Sequence, residues 1–478
     1  LMTLATLLLA AAHPVGAEPP SCLGKPATIV RGDGNDTIQG TNGADVIVAG
    51  RGNDRIFGNG GSDIICAGEG ADIVDGGDGE DTIDGDDKLG AADTLIGGRG
   101  RDVIYGDLGN DVLFGGDGID WLDGGEGDNR LYGQADGDYL IADAGDDSFN
   151  GGTGIDWLSF ERSVARIKGS LDGGSFVGAG QDQSAGIENV IGSPFGDDIT
   201  GDNGPNRLEG RGGADRIFGL GGNDELLGGD GDDELGPGLG NDAVDGQGGR
   251  NTLTYAGVPR SVAIDIGPGL ADGAGVDKFA RIRDVIGGPG TDIIRGDGQA
   301  NAIFGGENDD IIRGGGGNDS LNGGTGNDRV FGDDGDDTIV GGPNPGFDQL
   351  YGGRGDDEIG QMDGGDVANY EDASGPITVE LATGTVIGIG IGNDHLHTLE
   401  IQGTRFADTI RGSTGDDRIF GGAGDDEVYG RGGSDALFGE AGNDYLNGGD
   451  GVDLANGGPD FDYCENYEVG GSTCEDGD

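Results

Sequence analysis

RGDGNDTIQ at residues 31–39 is followed by GTNGADVIV at 40–48, AGRGNDRIF at 49–57, GNGGSDIIC at 58–66, AGEGADIVD at 67–75 and GGDGEDTID at 76–84. Each segment is nine residues long. Glycine favours positions 1, 2 and 4, aspartate holds position 6 and an aliphatic residue holds position 8. The register persists through four arrays, 31–159, 192–254, 287–369 and 403–465, which contain 14, 7, 9 and 7 turns. Only two turns change length: 85–96 carries three extra residues and 341–351 carries two. Position 8 is Ile, Leu, Val or Phe in all but three turns, where Ala368, Ala455 and Cys464 stand. The composition, with 114 glycines in 478 residues and a net charge of −64, would also suit a disordered chain. Disorder has no reason to hold one register for 37 turns.

The placement of the residues within the nonapeptide predicts its shape. Positions 1 to 6 form a turn in which several residues need φ > 0 or a close backbone approach, both of which glycine tolerates. Positions 7 to 9 form a three-residue strand whose middle side chain points to one face. Two turns reverse the chain twice, so a coil takes 18 residues and position i stacks on i+18 at about 4.8 Å. The fold class is therefore all-β: an elongated parallel β-roll (solenoid) in four blocks joined by short β-rich connectors. Some 18 coils give roughly 85–90 Å of roll before the connectors are added.

That stacking sets aspartates above one another, Asp36 over Asp54 and Asp45 over Asp63. Two carboxylates about 5 Å apart repel by roughly 3 kcal/mol at an effective dielectric of 20. A hard divalent cation between successive loops reverses the sign, and carboxylates with turn carbonyls form the all-oxygen ligand set that suits Ca²⁺. The candidate ligands are the position-6 aspartates. In the first array these are Asp36, Asp45, Asp54, Asp63, Asp72, Asp81, Asp93, Asp102, Asp111, Asp120, Asp138, Asp147 and Asp156; in the second, Asp197, Asp215, Asp224, Asp233 and Asp242. The third contributes Asp292, Asp310, Asp319, Asp328, Asp337, Asp348, Asp357 and Asp366, and the fourth Asp408, Asp417, Asp426, Asp435, Asp444, Asp453 and Asp462. Four turns carry asparagine instead: Asn129, Asn206, Asn251 and Asn301. One ion for each pair of successive loops sets a ceiling of about 29 sites, whose charge of about +58 nearly balances the −64 of the chain. The Asn turns and the two insertions should lower that ceiling.

These residues resemble the haemolysin-type calcium-binding, or repeats-in-toxin (RTX), nonapeptide GGxGxDxUx, shown best by Gly323-Gly324-Thr325-Gly326-Asn327-Asp328-Arg329-Val330-Phe331. The resemblance covers about 70% of the chain. It implies a β-roll with Ca²⁺ held between adjacent turns by the position-6 carboxylates and by loop carbonyls. It also implies folding on export, because extracellular calcium modules bind at roughly 10⁻⁴–10⁻³ M. Many members leave by a type I route with an uncleaved C-terminal signal. Here residues 1–17 read as a secretory signal peptide, Val15-Gly16-Ala17 offering small residues before a cleavage point at Glu18, which points to the general secretory path and an extracellular, secreted protein.

The remaining segments are an N-terminal cap (18–30), connectors at 160–191, 255–286 and 370–402, and a C-terminal cap (466–478). Each connector opens with an aromatic residue, Phe160, Tyr255 or Tyr370. Alternating strands follow in the last two, at 262–266 and 377–381, and the first two close similarly at 187–191 and 282–286. They resemble the spacers between β-roll blocks of long RTX-like proteins, and either extend the sheets or cap one block and start the next. Cys22 and Cys66 lie near the first turns, Cys464 and Cys474 at the other end. Four cysteines allow three pairings; terminal proximity favours Cys22–Cys66 with Cys464–Cys474, and free or metal-binding thiols are the other reading.

No catalytic constellation is visible. His395-x-His397 could hold a metal, but there is no HExxH helix, no long membrane-active region and no room for a separate catalytic module. A polyanion of this charge excludes nucleic acid and anionic membrane as electrostatic partners, and no stretch after the N-terminus is apolar enough for membrane insertion. The expected function is a non-enzymatic, secreted calcium-binding repeat protein that folds on Ca²⁺ binding, a structural, surface or adhesion component, with cell-surface glycans or further copies of itself as partners. The alternative is an extracellular carbohydrate-active or lytic enzyme with its site in a connector.

Overall fold

The computed structural model describes residues 20–478 apart from 86–87, 179, 344–345, 361–364, 399, 468, 471–473 and 476–478. Residues 1–17, read above as a signal peptide, and the cleavage point at Glu18 lie outside the described residues. The chain divides into two compact units, 1–193 and 194–478. Each is a parallel β-solenoid, with no helix among the described residues.

The register is the one that the nonapeptide dictates. Val46–Arg51 lies parallel to Ile64–Glu69 with Ile47 opposite Ile65, and Arg55–Gly60 lies parallel to Ile73–Asp78 with Ile56 opposite Val74. In the second unit Leu208 stands opposite Leu226 and Ile217 opposite Leu235. Partners are 18 residues apart, so alternate turns build two facing sheets. Position-8 side chains fill the space between them, and Ile47, Ile56, Leu122, Ile217, Ile312 and Ile419 are all fully buried. Many strands are longer than the three residues expected: Thr82–Asp84 has three, but Ile73–Asp78 has six. The extra length arises because positions 1 to 3 of stacked loops share the same register, as where Gly77 lies opposite Gly98.

Neither insertion breaks the stack. Thr94–Arg99 pairs with Ile73–Asp78 at an offset of 21, and Gln349–Arg354 pairs with Arg329–Asp334 at an offset of 20. Leu89, in the first of these turns, is exposed, and the coil resumes after it.

Each connector inserts three antiparallel strands into one sheet. After the first array, Gln181–Ala185 stacks parallel on Ser148–Thr153 and is followed by Ser175–Val177 and Lys168–Ser170. In the other sheet Asn189–Ile191 follows Trp157–Ser159 directly. In the second connector Val276–Ala280 stacks on Ala243–Gln247, and Ala263–Asp265 leads into Ile293–Arg295 of the next array. In the third, Gly392–Leu396 stacks on Glu358–Gly360 and Ile377–Glu380 leads into Thr409–Arg411. The opening aromatics Phe160, Tyr255 and Tyr370 turn inward and are buried, which anchors each insert on the core.

The ends are pinned covalently. Cys22 bonds to Cys66 and Cys464 to Cys474, each with Cα atoms 5.7 Å apart. Ile29–Val30 pairs with Ile47 and Val48 of the first turns, and Cys474–Glu475 with Asp462 and Tyr463 of the last.

Candidate metal sites

The position-6 aspartates form continuous ladders along the edges of each unit. Asp102 Oδ1 accepts a hydrogen bond from the Asp81 amide at 2.8 Å, and the Asp102 amide donates to Asp120 Oδ1 at 2.8 Å. The Asp120 amide donates in turn to Asp138 and the Asp138 amide to Asp156, at 2.8 and 2.7 Å. The second unit repeats the pattern, from Asp215 to Asp233 at 2.9 Å and from Asp319 to Asp337 at 2.7 Å. It also passes the insertions: the Asp81 to Asp102 bond spans the first, and an Asp328 to Asp348 bond of 2.7 Å spans the second. Of the 33 aspartates expected at this position, every one except Asp36 is buried.

One oxygen of each such carboxylate is thus satisfied. The other, Oδ2, is buried and accepts no hydrogen bond in Asp54, Asp63, Asp102, Asp138, Asp224, Asp319 and Asp435, among others. A buried, charged acceptor with no donor is expensive. Glycine at position 1 keeps the surrounding space for oxygen atoms. A Cβ on Gly85 would stand 2.8 Å from Asp93 Oδ2 and 2.7 Å from the Gly106 carbonyl, and one on Gly76 would meet Asp81 Oδ2 at 2.5 Å. The demand there is steric. At position 4 it is both: Gly79 has φ of 154°, and a Cβ there would also run into the Gly61 carbonyl.

Burial sets the proton affinity of the ladder. It pushes Asp102 and Asp319 up to about 7 and Asp138 and Asp310 up to about 8; the backbone donor opposes the rise and the neighbouring carboxylates add to it. Carboxylates that resist charging in the bare fold, with an undonated oxygen facing loop carbonyls, fit a divalent cation with oxygen ligands.

Array starts are built differently. There Oδ2 turns back to its own loop and accepts from the position-2 amide: Thr41 to Asp45 at 2.7 Å, and Gly288 to Asp292, Thr404 to Asp408 and Ser413 to Asp417 at 2.6 Å. These four expected ligands therefore have both carboxylate oxygens hydrogen-bonded. The asparagine turns also satisfy themselves. Asn129 Nδ2 donates to the Gly125 and Gly127 carbonyls at 3.1 and 3.0 Å, and Asn301 Nδ2 donates to the Arg283 carbonyl at 2.7 Å. A neutral amide supplies those carbonyls with the positive partner that a cation would otherwise provide.

Three residues of the ladder escaped the sequence reading. Asp182, Asp277 and Asp394, all in connectors, accept from the amides of Asp147, Asp242 and Asp357 at 3.1, 3.0 and 3.2 Å. Their signal is a half repeat, positions 4 to 9, in GQDQSA (180–185), GVDKFA (275–280) and GNDHLH (392–397).

Among the described residues no group of three or more His, Cys, Asp or Glu side chains is arranged to hold a metal. The ladder supplies stacked carboxylates and main-chain oxygens instead. His397 Nε2 lies 3.2 Å from Glu358 Oε1 and its ring meets His395 edge-on at 4.8 Å, so this pair has gathered only one carboxylate. The clearest groove away from the ladders, in the first unit, is lined by Tyr105, Asp123, Glu126, Asp143 and Arg162. Arg162 donates to Asp123 and lies 3.7 Å from Asp143, whose carboxyl is pushed up to about 6 by burial and by the Asp123 charge.

Parallel coils with glycine loops and an aspartate at each edge define a calcium-binding β-roll. The family model for the RTX calcium-binding nonapeptide repeat (4 copies) matches residues 31–65, 58–87, 89–122, 123–158, 191–226, 200–235, 286–321, 313–343, 344–360, 402–437 and 429–464. These segments span more than half of the chain, which belongs to this family. No curated protein matches it. Among the described residues no helix is long and apolar enough to cross a membrane.

Proposed function

We propose that this is a secreted, non-enzymatic protein that folds on binding calcium and serves as a structural, surface or adhesion component. The position-6 aspartates of the four arrays, with loop carbonyls, are its ligands. The observation that carries the reading is the buried Oδ2 without a donor, repeated along the arrays. Such an atom is costly in the bare protein and becomes a ligand once a cation is present, so metal binding is folding energy. The test is a calcium titration of the chelated protein followed by circular dichroism. Cooperative gain of β structure, reversed by chelator, is expected; a chelated protein with its full β signal at neutral pH refutes the reading.

Flat sheet faces and repeated loops suit multivalent contact with glycans or with further copies. Pull-down on immobilised glycans with and without calcium, beside sedimentation in both states, separates those partners. A second reading, an enzyme with a site at a connector, rests on the groove where Arg162 of the first connector meets Asp123 and Asp143. Hydrolysis of a glycan, peptide or ester by the pure protein, abolished by Asp143→Asn, would establish it.

A further inference from the structure

We propose that each connector completes the last calcium site of the array before it, through Asp182, Asp277 and Asp394. This rests on the calcium reading of the arrays and extends it to residues outside the repeat; none of the three lies in a segment that the repeat model matches. The register places them. Ser148 pairs with Gln183, Ala243 with Lys278 and Glu358 with His395, so the three aspartates stand over Asp147, Asp242 and Asp357. They are 1–2% exposed, as deep as the array carboxylates. The preceding glycines copy the array too: a Cβ on Gly180, Gly275 or Gly392 would run into the carbonyl of Gly145, Gly240 or Gly355, the position-4 glycine of the turn below.

Asp394 supplies an observation that points to a ligand. Its Oδ2 is buried and accepts no hydrogen bond of normal geometry, and the same holds for that of Asp357 beneath it; the buried Tyr370 hydroxyl interacts with the Asp394 carboxylate only loosely. The position therefore has the same unmet demand as an interior turn. At Asp277 the corresponding tyrosine closes in: the buried Tyr255 hydroxyl donates to its Oδ2 at 2.7 Å. A carboxylate oxygen has two lone-pair directions, so this donor fixes the carboxylate while leaving it able to bind a cation. Phe160 opens the first connector instead and packs on Phe176 with ring centroids 5.2 Å apart.

The far side of each insert lacks a carboxylate. In the second unit the residues in register below Asp292 and Asp408 are Val262 and Ile377, which give only their amides, at 2.8 Å in both cases. Those two aspartates are also among the four closed by their own loops. In the second unit a connector is therefore tied to the preceding array by metal and to the following array by hydrogen bonds and apolar packing alone. Calcium controls the entry to these connectors and not the exit.

The test counts ions on the full chain by equilibrium dialysis with elemental analysis in millimolar calcium, β content being checked in parallel. The triple variant D182N/D277N/D394N should bind about three ions fewer than the parent, one per connector. An asparagine retains the Oδ1 acceptor and loses the charge. D54N, inside the first array, is the reference. If D54N loses calcium and the triple variant keeps the parental count, the connector proposal is overturned and the array reading stands. If neither loses calcium, both are overturned. Should the triple variant fail to fold, the single variants are counted, each expected to lose one ion, and unchanged counts in all three overturn the proposal.

Discussion

Removing calcium from this protein should make its stability depend on pH in an unusual sense. Burial raises Asp63, Asp120 and Asp337 to about 6, Asp102, Asp215 and Asp319 to about 7, and Asp138 and Asp310 to about 8. In the unfolded chain each returns to the ordinary aspartate value near 3.8. A carboxyl raised in the fold favours the fold when protonated. Its contribution is fully present below about 3.8 and is lost as pH rises through 6 to 8. A tenfold difference in proton affinity is worth ~1.4 kcal/mol, so keeping Asp102 charged in the bare fold costs on the order of 4 kcal/mol. Three or four such residues together reach the ~5–15 kcal/mol that holds a typical domain folded. The metal-free ladders are therefore unsustainable at pH 8 and tolerable when protonated.

The assay is far-ultraviolet circular dichroism of metal-stripped protein between pH 8 and pH 4, followed by addition of a few millimolar calcium at pH 8. We expect little β signal without metal at pH 8, a gain as the pH falls through 7 and 6, and recovery at pH 8 on adding calcium. A metal-free protein as structured at pH 8 as its calcium form would refute the reasoning. So would a signal that does not rise between pH 8 and pH 5, because the ladder carboxyls would then not be the groups that oppose folding.

Three further outcomes follow from single positions. Asp319→Ala removes the acceptor of the Asn301 amide, bonded at 2.8 Å, and leaves that amide unpaired at a cost of ~1–3 kcal/mol; hydrogen exchange should quicken near residues 301 and 337 while calorimetry shows that most calcium sites remain. Asn129→Asp replaces the amide that donates to Gly125 and Gly127 with a second acceptor, so dialysis should count more calcium on the variant, and melting without metal at about pH 5, where protonation lets the bare fold form, should occur at a lower temperature. Reducing Cys22–Cys66, which spans 44 residues, should destabilise the first unit by about 4 kcal/mol, read as a lower denaturant midpoint there with the second unit unchanged.

The coil, its core and its edge aspartates were legible in the sequence because each follows from a fixed period. Away from the insertions and connectors, position 8 of a nonapeptide meets position 8 of the turn 18 residues on, and Ile38, Ile56 and Val74 need no information from elsewhere in the chain to find their places. Three features were not legible, for separate reasons. Asp182 stands 35 residues from Asp147 because two extra strands precede it, so the period that locates the other aspartates misses it. The closure of Asp45 depends on whether the Thr41 amide points back into its loop, a matter of backbone conformation. The donation from Asn129 depends on an amide nitrogen whose target carbonyls are placed by the loop fold.

The two edges meet a connector with opposite electrostatics. On one edge of the second connector Asp277 continues the carboxylate ladder above Asp242. On the other, Arg283 stands in register between Asn251 and Asn301, as the pairings of Thr252 with Asp284 and Val285 with Ile303 require. A dication about 5 Å from a unit positive charge is repelled by roughly 7 kcal/mol at an effective dielectric of 20, which cancels the attraction of one carboxylate at that distance. An arginine at this register position thus weakens a cation site on either side of it, and carboxylates at 251 and 301 would be held less well by metal than those elsewhere. Amides need none: Asn251 Nδ2 donates to the Gly248 and Arg281 carbonyls, and Asn301 Nδ2 to that of Arg283. Two of the four departures from aspartate in the repeat therefore flank one connector arginine. Glu188 shows the other solution on the equivalent edge of the first connector, where its carboxylate accepts from the Asp156 amide at 2.8 Å and the turn below keeps its aspartate. Asn129 stands between Asp111 and Asp147 in its ladder, so the arginine accounts for the asparagines at this connector edge and not for that one.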